Sequence, residues 1–417
     1  MGKSEFHLIV AGGGFAGVGA AITAARQGLK VLLVESSNCL GGAAVNCLVN
    51  PFMANHTVIE NKRVELTQGI FSEITGRLRK MGGMGDYIFK EEYLKLLLNE
   101  MCMEAGVNLL FRATVVSAEY AEGMVKSLTV NCRAKNYTFF ADYFIDATGD
   151  ADLSCLAGVA TRLGRPKDSL CQPMTLCFRI NNVDMAEYQK EKGKINQLYR
   201  EFKEQGRIKN PREDVLIFSS LYNGVLHFNS TRIVKLNPTD VFDLTKAEIA
   251  AREQVFELYY FLRDNFSAFK NSDIIMSAPQ IGVRESRMIV GEYTMTGNDI
   301  MECRKFVDGI AAGNYDMDIH NPEGEGTSHY WLPEGEYYTI PYRSLVPKGY
   351  KNLLCAGRCI SVDHEAQSSI RIMPICCSLG QAAGAAVALS SQNNVPLGWL
   401  NTDELRKLIK SLGGFIG

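Results

Sequence analysis

Several features that would mark other kinds of protein are scarce in this chain. Neither sign of charge dominates: 44 Lys and Arg stand against 46 Asp and Glu, a formal net charge of -2. Nucleic acid and acidic membrane surfaces are therefore not expected partners. No uninterrupted apolar run approaches the roughly 20 residues that cross a bilayer. The most apolar stretch, Met373 to Leu389, is broken by Ser378, Gly380, Gln381 and Gly384 and reads as a packed helix. The segment Met1-Gly-Lys-Ser-Glu-Phe6 lacks a basic region followed by an apolar core, so no secretory signal is expected in it. Phe6 also stands where a myristoylation motif wants Ser or Thr. Twelve cysteines are scattered without a C-x-x-C pair, and Cys355/Cys359 and Cys376/Cys377 fit no zinc or iron–sulfur spacing, so no metal site is expected. In apolar settings they read as small buried hydrophobes, which favours a reducing, cytoplasmic compartment, or export if a signal has been removed.

What is present has a clear order. His7 to Ala11 is an apolar strand running into glycines, Ala16 to Gln27 an alanine-rich helix closed by Gly28, and Lys30 to Glu35 a second apolar strand. Together they make a βαβ unit with a buried parallel sheet. Helices are expected over 66–80 and 90–104, a strand over 108–112, a meander near 115–119 and 126–132, and a buried strand over 143–147. Beyond Pro166 come a charged helix over 184–205, strands joined by a Tyr222-Asn-Gly224 turn, and a long amphipathic helix over 245–266 capped by Asp243 or Thr245. An apolar strand over 351–356 and a small-residue helix over 373–390 follow. The pattern implies a discontinuous nucleotide-binding domain, residues 1–165 and 345–417, with a substrate domain inserted at 166–344.

Gly12-Gly-Gly14-Phe-Ala-Gly17 fits G-x-G-x-x-G through Gly12, Gly14 and Gly17, which serve a tight turn, close approach to a pyrophosphate, and helix–strand packing. Phe15 and Ala16 open the helix whose free N–H groups face the phosphates. Glu35 ends the next strand, placed to accept hydrogen bonds from ribose hydroxyls and to repel a 2′-phosphate. This unit alone does not separate NAD from FAD. Two further segments do: Ser36-Ser-Asn-Cys-Leu40-Gly41-Gly42-Ala43, whose paired glycines let backbone lie against ribitol and isoalloxazine, and Ile145-Asp-Ala147-Thr148-Gly149-Asp150, another strand-ending glycine turn.

These segments resemble FAD proteins of the glutathione-reductase-like superfamily, and within it the FAD-dependent oxidoreductase family. The closest resemblance lies in Gly282-Val-Arg284-Glu-Ser-Arg287, Ile340-Pro-Tyr-Arg343-Ser-Leu-Val-Pro347, Leu354-Cys-Ala-Gly357-Arg358-Cys-Ile-Ser361, His364-Glu-Ala, Ser369-Ile-Arg371-Ile-Met-Pro374 and Gly380-Gln-Ala-Ala-Gly384. It covers both ends of the nucleotide domain and hardly touches 170–270. The resemblance implies a Rossmann-like (three-layer ββα) FAD-binding domain of the α/β class with an inserted α+β substrate domain. It places Gly357 and Arg358 near the phosphoribityl chain, Arg371 and Ile372 at the helix N-terminus facing the pyrimidine edge, and Val115 among the cofactor contacts. Gly380 and Gly384 read as packing positions that let the helix press against the sheet. The disulfide reductases of this superfamily carry a C-x-x-x-x-C pair after the Gly-Gly turn. Here Cys47 alone follows closely, and a second G-x-G-x-x-G is absent. Electrons are thus expected to move between flavin and substrate, a small acceptor or donor, or a partner protein.

A flavin needs the reacting carbon over N5 and a group to move the accompanying proton. Of the six histidines (His7, His56, His227, His320, His329 and His364), His329 and His364 fall in segments resembling the family's active-site region. Arg284, Arg287 and Arg343 are candidates to clamp a carboxylate or donate a proton. Alternatively, Arg284 and Arg287 pair with Glu285 or Glu292, and His329-Tyr-Trp331 is a loop anchored by a buried tryptophan. The expected function is an FAD-dependent oxidoreductase passing hydride between N5 and a small polar, anionic or sugar-derived metabolite. A reductase of activated C=C bonds, a flavin protein with a structural or regulatory cofactor, and, less favoured, NAD binding without flavin are the alternatives.

Overall fold

The computed structural model describes residues 5–417. The first strand, Phe6–Ala11, is buried except at His7, whose ring Nδ1 accepts the Lys30 N–H at 2.8 Å. A run so uniformly apolar is stable only with sheet on both edges and cover on its faces. It pairs in parallel with Val31–Val34 on one side and with the end of Lys135–Asp146 on the other. Val31–Val34 then pairs with Asn108–Leu110, and Leu353–Cys355 pairs in parallel with Lys135–Asp146. The long strand Lys135–Asp146 thus belongs to two systems. Its last residues complete the parallel core, and its first residues form the antiparallel meander with Met124–Cys132, which continues to Thr114–Ala121. The sheet therefore reads as a Rossmann-like α/β arrangement of seven strands with its return strand arriving from near the C-terminus.

A second hydrophobic core draws on residues 174–283, with Leu48 reaching into it. It combines a four-stranded antiparallel sheet with the helices Met185–Glu204 and Val241–Asn265. This is the inserted α+β part. Residues between Met288 and Tyr342 pack instead with the nucleotide-domain core, although they precede the return strand.

Local details differ from the sequence reading. The long helix begins earlier, at Val241, because Asp240 rather than Asp243 or Thr245 caps it, accepting the N–H groups of Phe242 (2.9 Å) and Asp243 (3.0 Å). Tyr222-Asn-Gly224 sits in a six-residue connection between Ile217–Ser219 and Leu226–Phe228, too long for a two-residue hairpin turn. A short hairpin, His56–Ile59 with Lys62–Glu65, occupies the polar stretch near Asn61.

Among the described residues one helix, Met373–Asn393, is long and apolar enough to span a membrane by composition, and it is largely buried. It packs on the helix of the glycine loop, Phe15–Arg26, rather than on the sheet. A Cβ at Gly380 would lie 1.9 Å from the Ala16 carbonyl oxygen and one at Gly384 2.4 Å from that of Ala20. Only bare backbone fits this crossing. Gly384→Val is expected to lower unfolding free energy by about 1–3 kcal/mol in denaturant titration, the usual cost of overfilling a packed interior.

Candidate flavin and substrate site

The crossing brings two helix N-termini to one cleft. Phe15–Arg26 starts at Gly14 and Met373–Asn393 at Ile372, and neither has a side chain capping its first turn. Phe15, Ala16, Met373 and Cys376 line the cleft, so the free N–H groups of both first turns border the same space. Gly12, at φ +101°, turns the chain so tightly that a Cβ there would sit 2.3 Å from the Ala147 carbonyl oxygen.

Most of the cofactor residues expected from sequence meet on this cleft: Gly12, Gly14, Phe15, Ala16, Glu35, Ser36, Gly41, Gly42, Ala43, Val115, Ala147, Thr148, Gly149, Asp150, Gly357, Arg358 and Arg371. Gly17, Leu40 and Ile372 do not line it. Gly17 packs against the Gly12 carbonyl, Leu40 is fully buried, and Ile372, the residue before the helix, is itself buried. Other cleft residues carried no sequence signal, among them Asn46, Cys47, Ala113, Thr114, Gln280 and Val283. They are contributed by neighbours of motif residues or by the insertion, and only the tertiary fold selects them.

Glu35 is buried and uses both of its carboxylate oxygens. Its Oε2 accepts the Gly13 N–H and its Oε1 the Ser37 N–H, both at 2.6 Å. It therefore ties the glycine loop to the second strand, with lone pairs remaining for ribose hydroxyls. At the other end Arg358 donates to Asp150 (2.7 Å) and Ser286 (3.0 Å), fixing the Thr148-Gly149-Asp150 turn against the return strand. The two uncapped helix starts, the Cβ-free floor at Gly14 and this carboxylate fit the diphosphate, ribose and ring of FAD.

The family question is then decided by the whole chain. Residues 7–409 match the family model described as FAD dependent oxidoreductase. The chain belongs to that family. It is an FAD-dependent oxidoreductase, an enzyme. A stretch of 196 residues, 44% of this chain, is 26% identical to digeranylgeranylglycerophospholipid reductase 1 of Methanococcoides burtonii and spans 47% of that protein, about half its length. Similar solved structures include a geranylgeranyl bacteriochlorophyll reductase-like protein from Thermoplasma acidophilum (13% identity, 99% of this chain and 92% of that one, TM-score 0.46). A flavin-dependent brominase (11%, 98% and 84%, 0.49) and p-nitrophenol 4-monooxygenase from Pseudomonas putida DLL-E4 (10%, 98% and 84%, 0.48) are others.

The catalytic candidates separate. Arg284 is partly accessible, and its three hydrogen bonds all go to neutral groups: Pro173 O (2.7 Å), Thr175 Oγ1 (2.5 Å) and Asn229 Oδ1 (3.4 Å). Burial, reinforced by the neighbouring Arg371 and Arg212, pushes its pKa down to about 9. Its neighbour Val283 lines the cleft, as does Arg371, whose Nε has no partner. Neither Arg284 nor Arg287 pairs with Glu285 or Glu292. Arg287 binds the Asp150 carbonyl (2.8 Å) and the Asp152 carboxylate, buttressing the Thr148-Gly149-Asp150 turn. Arg343 lies apart, half-exposed, against Asp308 (2.9 Å) and the Tyr293 ring.

His329 stacks on Trp331, which is 71% exposed and anchors nothing. Its Nδ1 meets Asp316 at 2.6 Å and its Nε2 lies 3.9 Å from Asp318. Asp318 is the centre of a group the sequence reading passed over. Its Oδ2 is 3.2 Å from His320 Nε2 and 3.5 Å from both Tyr315 Oη and Arg371. Arg232 can only donate, and it meets His320 Nδ1 at 3.0 Å, so the histidine proton sits on Nε2, facing Asp318. Burial, helped by Arg284, takes the His320 pKa down to about 3, leaving the ring neutral. Burial opposes ionisation of Asp318, but His320, Arg371 and Arg284 outweigh it and hold the carboxylate below its ordinary range. Asn314-Tyr-Asp-Met-Asp-Ile-His320 is dense in titratable groups; that density was the available signal.

His364 is buried away from the cleft. Its Nδ1 meets the fully buried Glu285 at 2.9 Å, and Glu285 also takes the Gln172 N–H at 2.8 Å. Gln367 donates to the Arg284 carbonyl (2.7 Å), so this pair and its neighbours hold the segment that carries Arg284. Burial works against charge on His364, yet Glu285 prevails and raises its pKa.

Two outcomes follow for measurement. Glu35→Ala strips the buried Gly13 N–H and the part-buried Ser37 N–H of a charged acceptor, bonds worth roughly 1.5–3 kcal/mol each. Its FAD dissociation constant, from flavin fluorescence, is expected to rise about tenfold or more. A group whose folded pKa is raised stabilises fully below its unfolded value and loses that contribution as pH rises through the folded one. The melting-temperature gap between wild type and His364→Asn is therefore expected to be wider near pH 6 than near pH 9.

Proposed function

We propose that this enzyme transfers a hydride between flavin N5 and a carbon of a small metabolite bearing a carboxylate or comparable anion. The observation that carries the reading is Arg284, a guanidinium enclosed among neutral partners beside the cleft, with Arg371 next to it and short of a partner at Nε. Asp318 offsets part of this positive charge through its 3.5 Å contact with Arg371, and a planar carboxylate entering beside both guanidinium groups can be held bidentately. FAD, when bound, supplies the two-electron chemistry at N5. The protein's part is to hold and to move a proton. Arg284 and Arg371 orient the anion, and Gln280, Ile281 and Val283 close the insertion over the cleft. His329, 42% exposed and held at Nδ1 by Asp316, takes the substrate proton in oxidation and passes it to solvent, while Asp318 stays ionised beside the clamp. In reduction the same groups run in reverse.

The parallel sheet with its meander ahead of the strand ending at Asp146 supports a nucleotide domain of the glutathione-reductase-like type, discontinuous as residues 1–165 and 345–417. A second cavity of about 610 Å³ lies beyond Phe15, whose ring meets Phe52 (5.3 Å) and Phe71 (5.9 Å) on its wall. It offers room for a small electron acceptor or donor, as the missing second dinucleotide unit requires. The partial match to a reductase favours flux from flavin to substrate as the second reading.

Anaerobic stopped-flow absorbance against a panel of acids, amines and sugars tests both. Bleaching of the flavin by a reduced carboxylate supports the first reading, and reoxidation of reduced enzyme by an unsaturated acid the second. Arg284→Gln should retain its yellow colour and lose about 100-fold in kcat/KM for the anionic substrate. A spectrum unmoved by the whole panel, or a preferred substrate without an anion, overturns the proposal.

A further inference from the structure

The cavity of about 610 Å³ beside the flavin cleft is built differently from the cleft itself. Its volume falls within the roughly 300–1,000 Å³ of small-molecule pockets. Its apolar lining is Phe71, Pro374 and the thioethers of Met53 and Met84. Phe52 backs this lining, 1% exposed, with its ring stacked on Phe89 at 4.2 Å. The polar lining consists of donors with hydrogens to spare. Thr67, buried, accepts the Asn55 amide N–H at 2.6 Å, so its own O–H is unspent. Tyr87 accepts an Arg63 N–H at 2.6 Å and keeps its O–H in the same way. Arg79 makes a single hydrogen bond, to the Asp86 carbonyl at 3.2 Å, and pairs with no carboxylate among the described residues.

These donors call for a ligand of acceptors, and the apolar lining for an uncharged body. A quinone has both, a flat apolar ring with carbonyl oxygens at its edge. A nicotinamide dinucleotide fits less well. The lining sets Glu65 and Asp86 against Arg63 and Arg79, so it offers a diphosphate no net charge, and no second G-x-G-x-x-G turns backbone toward one. The cavity is also placed to exchange electrons with the flavin. Met373 lines the cleft and Pro374 the cavity, so adjacent residues at one helix start divide the two spaces. Phe15, on the cleft, meets Phe52 at 5.3 Å and Phe71 at 5.9 Å on the cavity side.

We propose that a quinone binds in this cavity and exchanges two electrons with the flavin across the shared wall, leaving the cleft free for the substrate. In the oxidative direction two electrons and two protons leave the reduced flavin. The quinone gains the two electrons and takes two protons from solvent at the open mouth. Its two C=O bonds become C–OH, it leaves as the hydroquinone, and no further oxidant enters. This names the electron carrier that the hydride-transfer reading leaves open, and rests on that reading only for what reduces the flavin in turnover.

The test uses the FAD-loaded full chain and duroquinone, whose fully methylated ring resists addition of cysteine thiols. Equilibrium dialysis is expected to show one duroquinone bound per chain. Ser72 lines the cavity and is exposed at its mouth. Ser72→Trp should abolish this binding with FAD content unchanged, and Arg79→Gln should raise the dissociation constant about tenfold. In anaerobic stopped flow, photoreduced wild type should be reoxidised at a rate that saturates with duroquinone, and Ser72→Trp about tenfold more slowly or worse. Because light reduces the flavin, a failed search for a carboxylate substrate leaves these readings intact. Three results overturn the proposal: no binding up to the solubility limit, binding unaffected by both variants, or NADH bound in place of duroquinone and lost in Ser72→Trp. If Ser72→Trp fails to fold, Arg79→Gln decides the matter.

Discussion

Backbone lies directly on backbone where the helix Met373–Asn393 crosses Phe15–Arg26, at Gly380 on Ala16 and Gly384 on Ala20. Everything else about the nucleotide domain is arranged around that contact. Because side chains are missing there, the two helices approach closely enough for both of their uncapped first turns to face one cleft. Each turn contributes partial positive charge, which suits an anionic diphosphate at one and the electron-rich edge of a reduced flavin at the other. A separation enlarged by one methyl group would pull one of these ends away. The chain's beginning and end are thus joined in a single binding surface, and the return strand Leu353–Cys355 brings the second helix to its place.

Polar groups around the cleft follow a division of labour. Glu35, Arg358, Arg287 and His364 are spent on the protein itself: they tie loops to strands through short contacts to backbone or to carboxylates. Arg284, Arg371 and Asp318 are less fully committed, with neutral partners, an unpartnered nitrogen or long contacts. Buried charge is costly unless it is paired. The uncommitted groups are therefore the ones whose energetics improve when a charged substrate arrives, and they cluster where the insertion meets the nucleotide domain.

Legibility of the sequence tracked how local each feature is. The glycine loop from Gly12, Glu35, the Gly41-Gly42 turn and the Thr148 turn are short motifs whose function follows from conformation within a few residues, and Gly12, Gly14, Glu35, Gly41, Gly42 and Thr148 meet on the cleft. His364 reads as catalytic from a segment resembling the family's active-site region, and Arg287 from a guanidinium's capacity to clamp a carboxylate. Their partners, Glu285 and Asp152, come from other parts of the fold and absorb them. His320 and Asp318 were passed over for the complementary reason: nothing nearby in sequence shows that Arg232, eighty-eight positions earlier, fixes the histidine proton toward the carboxylate.

The sequence by itself determined the dinucleotide unit, the choice of flavin and the α/β class, because turn conformation, strand burial and glycine spacing are written over short stretches. The tertiary structure alone decided which charges are free. An ion pair consumes a side chain only when folding brings its partner within reach, and that distance has no counterpart along the chain. It also decided that Met373 and Pro374, adjacent in the chain, face a cleft and a separate cavity, since a helix turns successive side chains to different sides without saying what space the rest of the fold leaves there.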